Sequence, residues 1–180
     1  SFLLADKMVM VTLPEITAME NMYHLIKKML FRKLNYVLGK HGLRDTVKDA
    51  WQNRKPNKIK SIMGLVNYIM GVSPQAKTAV DKCLAEFQVF IVLNQVKKPE
   101  DIETGASIRS VVKKHFGVDA RYPGIVHYNQ FFWKYVEELS AFRQEPLSTS
   151  TALEVGTIVN NIINNKQMKL PEILKVALIL

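Results

Sequence analysis

Asn94 closes a near-continuous apolar run, Phe87-Gln88-Val89-Phe90-Ile91-Val92-Leu93, and its planar amide offers a donor and an acceptor side by side. That pair suits the edge of a purine, by the geometry through which an amide reads adenine. An Asn in this position equally turns or caps the chain as it leaves a strand. Both readings stand on the residues alone. Glu15 follows Pro14 in Thr12-Leu13-Pro14-Glu15; it orients a water or a partner, or it sits in the first turn of a helix, where its charge favours the dipole. Other chemistries lack their residues. His24, His41, His115 and His127 show no metal-ligand spacing and no carboxylate or Cys companions, so no metal site is assigned. Ser/His/Asp catalysis lacks the glycine pattern of a nucleophile elbow. No Gly-x-x-x-x-Gly-Lys-Ser/Thr loop occurs, so the phosphate half of any nucleotide site is expected in residues outside this sequence. The single Cys83 excludes a disulfide framework and suits a reducing, cytosolic compartment; on a predicted helix it reads as a buried thiol rather than a reactive one.

Three strands are expected to position these residues, at about 7–12, 87–94 and 118–126. The first runs through a Pro-Glu turn into a helix whose Met19, Met22, Tyr23, Ile26, Met29 and Leu30 recur at three- and four-residue spacing. That is half of a parallel βα unit, and ligands of open α/β sheets sit beyond the carboxyl ends of the strands. The helix is expected to reach about Leu38, stopped by Gly39 and Gly42. Residues 43–87 read as helix throughout (43–51, 59–70 and 75–87), with Ser73 and Pro74 marking a helix start. The run at 87–94 is that of a strand buried on both faces. A polar loop at 97–101 leads to a helix over about 100–115, stopped by Gly117. Residues 124–126 continue or bulge the last strand, and His127-Tyr128-Asn129 turns into a helix over about 130–142. Pro146, Ser148 and Thr149 precede a helix over about 152–164, and a last amphipathic segment covers 170–180. Three parallel strands make a poor complete sheet. The opening Ser1-Phe2-Leu3-Leu4-Ala5-Asp6 and the apolar ending Val176-Ala177-Leu178-Ile179-Leu180 add to the expectation of a carboxyl-terminal part of a larger α/β domain.

The chain has 180 residues, 48% of them hydrophobic, and a formal net charge of +9. No apolar run reaches the length of a bilayer span. The positive balance suits an anionic partner, whether nucleotide, nucleic acid or acidic lipid. Lys27, Lys28, Arg32, Lys33, Lys40, Arg44, Lys48, Arg54, Lys55, Lys58 and Lys60 supply most of it. A solvated helical surface is favoured over a nucleic-acid patch here, because aromatic residues are not interleaved as single-strand binding would want.

Ala5-Asp6-Lys7, Val11-Thr12-Leu13-Pro14-Glu15, the Glu20-Asn21-Met22-Tyr23 helix, the strand Val89-Phe90-Ile91-Val92-Leu93-Asn94 and the segment from Phe116 to Asn129 stand in an order that resembles the MinD/ParA-type deviant P-loop ATPases, flagellar-number and MinD-like branch. The likeness spans most of residues 1–165, taken as the ATPase portion, with 43–86 as a helical insertion and 166–180 as an amphipathic terminal helix. It implies part of a doubly wound parallel sheet of about three strands flanked by many helices, incomplete without upstream residues. It further implies a cytoplasmic spatial regulator, serving flagellar placement, the division site or partition, that binds and hydrolyses ATP as a homodimer. Asn94 would contact adenine; Val126, His127, Tyr128 and Asn129 would wall the base; Pro14, Glu15, Glu20 and Asn21 would lie near a dimer or partner face. Magnesium ligands and the phosphate loop would precede Ser1, leaving these 180 residues inactive alone. The family usually carries Asp where Asn129 stands. Residues 168–180 would offer a peripheral membrane contact, and nucleic acid is the less favoured partner. A non-enzymatic scaffold using the basic helices to bind protein, DNA or acidic lipid is the competing expectation.

Overall fold

The computed structural model describes Ala5, residues 7–130 and residues 149–169. Chain order is β1 (Met8–Thr12), α1 (Ile16–Lys40), α2 (Arg44–Gln52), α3 (Ile62–Val72), α4 (Pro74–Glu86), β2 (Val89–Val96), α5 (Pro99–Phe116), β3 (Ala120–His127) and α6 (Thr149–Ile163). The class is α/β: the strands form one parallel sheet in the order β1-β2-β3. β2 is central, and its residues from Val89 to Leu93 are all buried, as a strand covered on both faces must be. β1 alternates, burying Met8, Met10 and Thr12. β3 accommodates Pro123 at the edge of the described sheet, where a missing N–H costs no ladder bond. Residues 124–126 continue the strand without ending it. The helix expected over 130–142 and the amphipathic segment at 170–180 lie outside the described residues, apart from Gln130, which is in a turn.

Two compact units emerge. The first is built on Glu20–Val89 and Ser110–Ala120. Ile26, Leu30, Leu34 and Leu38 form a buried stripe along α1 at four-residue spacing, and Val47 and Ala50 of α2 are buried with Leu65, Val66 and Ile69 of α3. α3 packs on both α2 and α4. α1 runs two residues past the expected stop. Gly42, with φ of +73°, ends it: the Leu43 amide donates to the Leu38 carbonyl at 2.9 Å, a six-to-one closure for which glycine is the fitting residue. Gly39 stays helical, and the Arg44 side chain lies against it. α3 starts at Ile62 rather than near 59 because Ser61 Oγ accepts from the Gly64 amide at 3.0 Å. Ser73 ends α3 and caps α4, accepting from Ala76 at 3.4 Å.

Cys83 is buried on α4, as expected. Burial pushes its thiol from 9.0 up to about 11, with Lys33 opposing and Glu86 adding to the shift. The unfolded chain therefore releases this proton first. Urea titrations should show the parent losing stability relative to Cys83→Ala as pH rises from about 9 towards 11, with no such difference below that window.

The second unit is built on Val9–Met19, Phe90–Arg109 and the described residues from Arg121 onward. Phe90, Ile91 and Leu93 are buried with Tyr122 and Ile125 of β3. α5 meets β3 at Gly105, where the Tyr122 ring occupies the space a side chain would need. α6 runs back along β3 through three contacts at helical spacing: Glu154 holds His127, Ile158 covers Gly124, and Asn161 Nδ2 donates to the Pro123 carbonyl at 2.7 Å.

Candidate functional site

The carboxyl ends of β2 and β3 converge on one cleft of about 160 Å³, lined by Asn94, Gln95, Val126, His127, Tyr128, Asn129 and Thr151, all within the second unit. A cavity of about 150 Å³ is enough to hold a benzene ring, so the space matches a planar heterocycle and falls short of a whole nucleotide. Convergence follows from parallel pairing. Adjacent parallel strands end on the same side of the sheet, and the Tyr128 amide extends the pairing by donating to the Val96 carbonyl at 2.9 Å.

Asn94 is half-buried within β2, two residues before the strand ends at Val96. Its Oδ1 accepts the Gln95 amide at 3.0 Å, which fixes the orientation of the side-chain amide. One lone pair of Oδ1 and both protons of Nδ2 remain for a ligand. Gln95 has φ of +59°, a left-handed backbone at a residue with a side chain, a conformation that concentrates at sites where function holds it.

The loop after β2 is braced from below. Asp101, buried in the first turn of α5, accepts through Oδ2 from the Lys97 and Lys98 amides at 2.9 and 3.2 Å. That brace sets Lys97, whose Nζ lies 4.9 Å from the centroid of the Tyr128 ring, so one cation stands against the aromatic wall of the cleft. Opposite, the Glu154 carboxylate grips His127 twice, accepting from its backbone amide at 3.1 Å and meeting Nδ1 at 2.5 Å. A carboxylate only accepts, so Nδ1 carries the proton.

Five residues singled out from the sequence, Asn94, Val126, His127, Tyr128 and Asn129, thus share one cleft. Pro14, Glu15, Glu20 and Asn21 do not line it: Pro14 is half-buried and the other three are exposed. Glu15 stands just before α1, not in its first turn, and its carbonyl accepts from the Met19 amide at 3.0 Å. Gln95, Lys97, Thr151 and Glu154 went unnoticed in the sequence. Gln95 follows Asn94 where the apolar run of β2 gives way to polar residues, a signal for the first; Thr151 and Glu154 come from a helix whose facing no local pattern specifies. Among the described residues no three His, Cys, Asp or Glu side chains gather to hold a metal ion, and no helix is long and apolar enough to cross a membrane. No family model, curated protein sequence or solved structure matches the chain.

Proposed function

We propose that the cleft receives an adenine base and that the chain is the carboxyl-terminal part of a doubly wound ATPase domain of the MinD/ParA type, completed by upstream residues. The observation that carries this is the meeting of Asn94 with Val126–Asn129 around a space of base size. With Oδ1 partly occupied by Gln95, the amide can donate from Nδ2 to N7 and accept the N6 amine on its remaining lone pair. Guanine presents O6 where adenine presents N6–H, so its acceptor would oppose Oδ1. Tyr128 and Lys97 give the base an aromatic wall with a cation behind it. Phosphate and magnesium would be held by residues outside this chain. In the intact parent the nucleotide state would be read out by a homodimer or a protein partner through the corner at Pro14 and Glu15 and the start of α1.

The test is nucleotide binding to the intact parent. ATP and ADP are expected to bind more tightly than GTP, and Asn94→Ala to weaken adenine nucleotides about tenfold, the worth of a lost bidentate contact, leaving GTP unchanged. Equal affinities for ATP and GTP, or full affinity in Asn94→Ala, would remove the basis for an adenine site. The 180 residues alone should release no phosphate from ATP.

A further inference from the structure

Residues 27–60 hold eleven Lys and Arg against two Asp, an excess equal to the formal net charge of the entire chain, +9. All belong to the first unit, whereas the residues lining the base-sized cleft belong to the second. None of the eleven is ion-paired with a described residue, whereas ion pairs do form elsewhere, at Lys82 with Glu86 and Lys113 with Asp119.

The structure orders these cations. Lys28, Arg32, Tyr36 and Lys40 are exposed on α1 at four-residue spacing, a stripe advancing about 6 Å per step. Lys40 Nζ lies 4.4 Å from the Tyr36 ring centroid. Arg44 extends the stripe onto α2, its Nε only 3.3 Å from where a side chain on Gly39 would begin. Alongside, Phe31 packs on Trp51 at 5.0 Å between centroids and the Arg54 guanidinium covers Trp51 at 5.1 Å. Aromatic rings therefore stand among the basic residues, Tyr36 within the stripe and Phe31 and Trp51 beside it.

We propose that residues 27–60 form a sequence-independent docking surface for the phosphodiester backbone of a nucleic-acid duplex. Unneutralised cations in a row are what counterion release requires. An acidic lipid surface fits less well, because interfacial helices also present an apolar face, and Tyr36 is the one large hydrophobic side chain exposed between 27 and 60. A protein interface would want an apolar centre, which is equally absent from this segment. The surface stands independently of the adenine reading.

Fluorescence anisotropy of the 180-residue chain with a labelled random-sequence DNA duplex tests it, across salt from about 50 to about 200 mM. Affinity should fall log-linearly with salt, by about 0.9 in slope per phosphate engaged. Lys28→Glu/Arg32→Glu/Lys40→Glu should weaken binding at least tenfold and flatten the slope by about two to three. Lys77→Glu/Lys114→Glu/Lys166→Glu, with the same change in net charge, should alter it by less than about twofold if location rather than total charge decides. The corresponding Gln set replaces the first variant if circular dichroism shows it unfolded. A duplex RNA of the same length separates the two sources of phosphodiester, and binding to either supports the surface. Absence of saturable binding to both, equal loss in the two variant sets, or binding confined to phosphatidylglycerol vesicles overturns it.

Discussion

Gly105→Ala is expected to lower folding stability by about 3 kcal/mol, the upper end for one methyl forced into a filled space. A Cβ built there falls 2.5 Å from Tyr122 Cζ, 2.6 Å from its hydroxyl oxygen and 2.8 Å from Cε2. These are ring atoms of a side chain only 1% exposed, not the flexible tip of a surface residue, and the ring has nowhere to swing. The phenol already bears a cost, for among the described residues its buried hydroxyl has no hydrogen-bond partner, and burial pushes its ionisation well above the ordinary tyrosine range. The close fit of α5 on β3 is thus taken at the expense of that hydroxyl. Urea midpoints give the check, and Tyr122→Leu in the Gly105→Ala background should restore most of the loss, giving a coupling energy within the range found for residues in contact. A Gly105→Ala protein within about 0.5 kcal/mol of the parent, the range of a neutral surface change, would mean that helix and strand separate freely here.

Asn161→Ala should cost about 2 kcal/mol, the desolvation penalty of a buried carbonyl left without its donor. The carbonyl is that of Pro123, on an edge strand, and Asn161 reaches it at 2.7 Å from a side chain 9% exposed. Asn164 serves as the control. Among the described residues its exposed side chain bonds only to the Asn160 carbonyl and Oδ1, one turn back, so Asn164→Ala should stay within about 0.5 kcal/mol of the parent. The larger loss should carry over to the cleft, because Asn161, Ile158 and Glu154 register one helix on one strand, and that helix also supplies Thr151 to the cleft lining. Adenine-nucleotide affinity of the intact parent should therefore weaken in Asn161→Ala and hold in Asn164→Ala.

The sheet was legible where side-chain period carries the information. The apolar run of β2 gave its burial on both faces directly, whereas the apolar Met8–Thr12 read as a strand without showing that Val9 and Val11 would be exposed. Parallel pairing then brought Asn94 and Val126–Asn129 to one end of the sheet. What escaped depends on tertiary registry or on backbone strain. Gln95 turns left-handed inside the strand, so β2 continues to Val96 where the polar Asn94 suggested an end. Glu154 and Thr151 gain their meaning only once α6 is laid on β3. The Tyr36–Lys40 pair on α1 and the Trp51–Arg54 pair, in which Arg54 reaches back from the turn after α2, have spacings of four and three residues that the sequence already held, but which ring each cation covers depends on the folded backbone.

One consequence concerns the side of β1 away from β2. Val9 and Val11 are 47% and 63% exposed on a strand whose one neighbour in the described sheet is β2. A strand margin that no other described strand pairs, next to two exposed isopropyl groups, is a template on which a foreign strand can zip, and no lysine interrupts Met8–Thr12 to discourage it. Concentrated solutions of these 180 residues should drift towards stacked, non-native association along that margin, so dilute samples are the ones in which affinities describe single molecules.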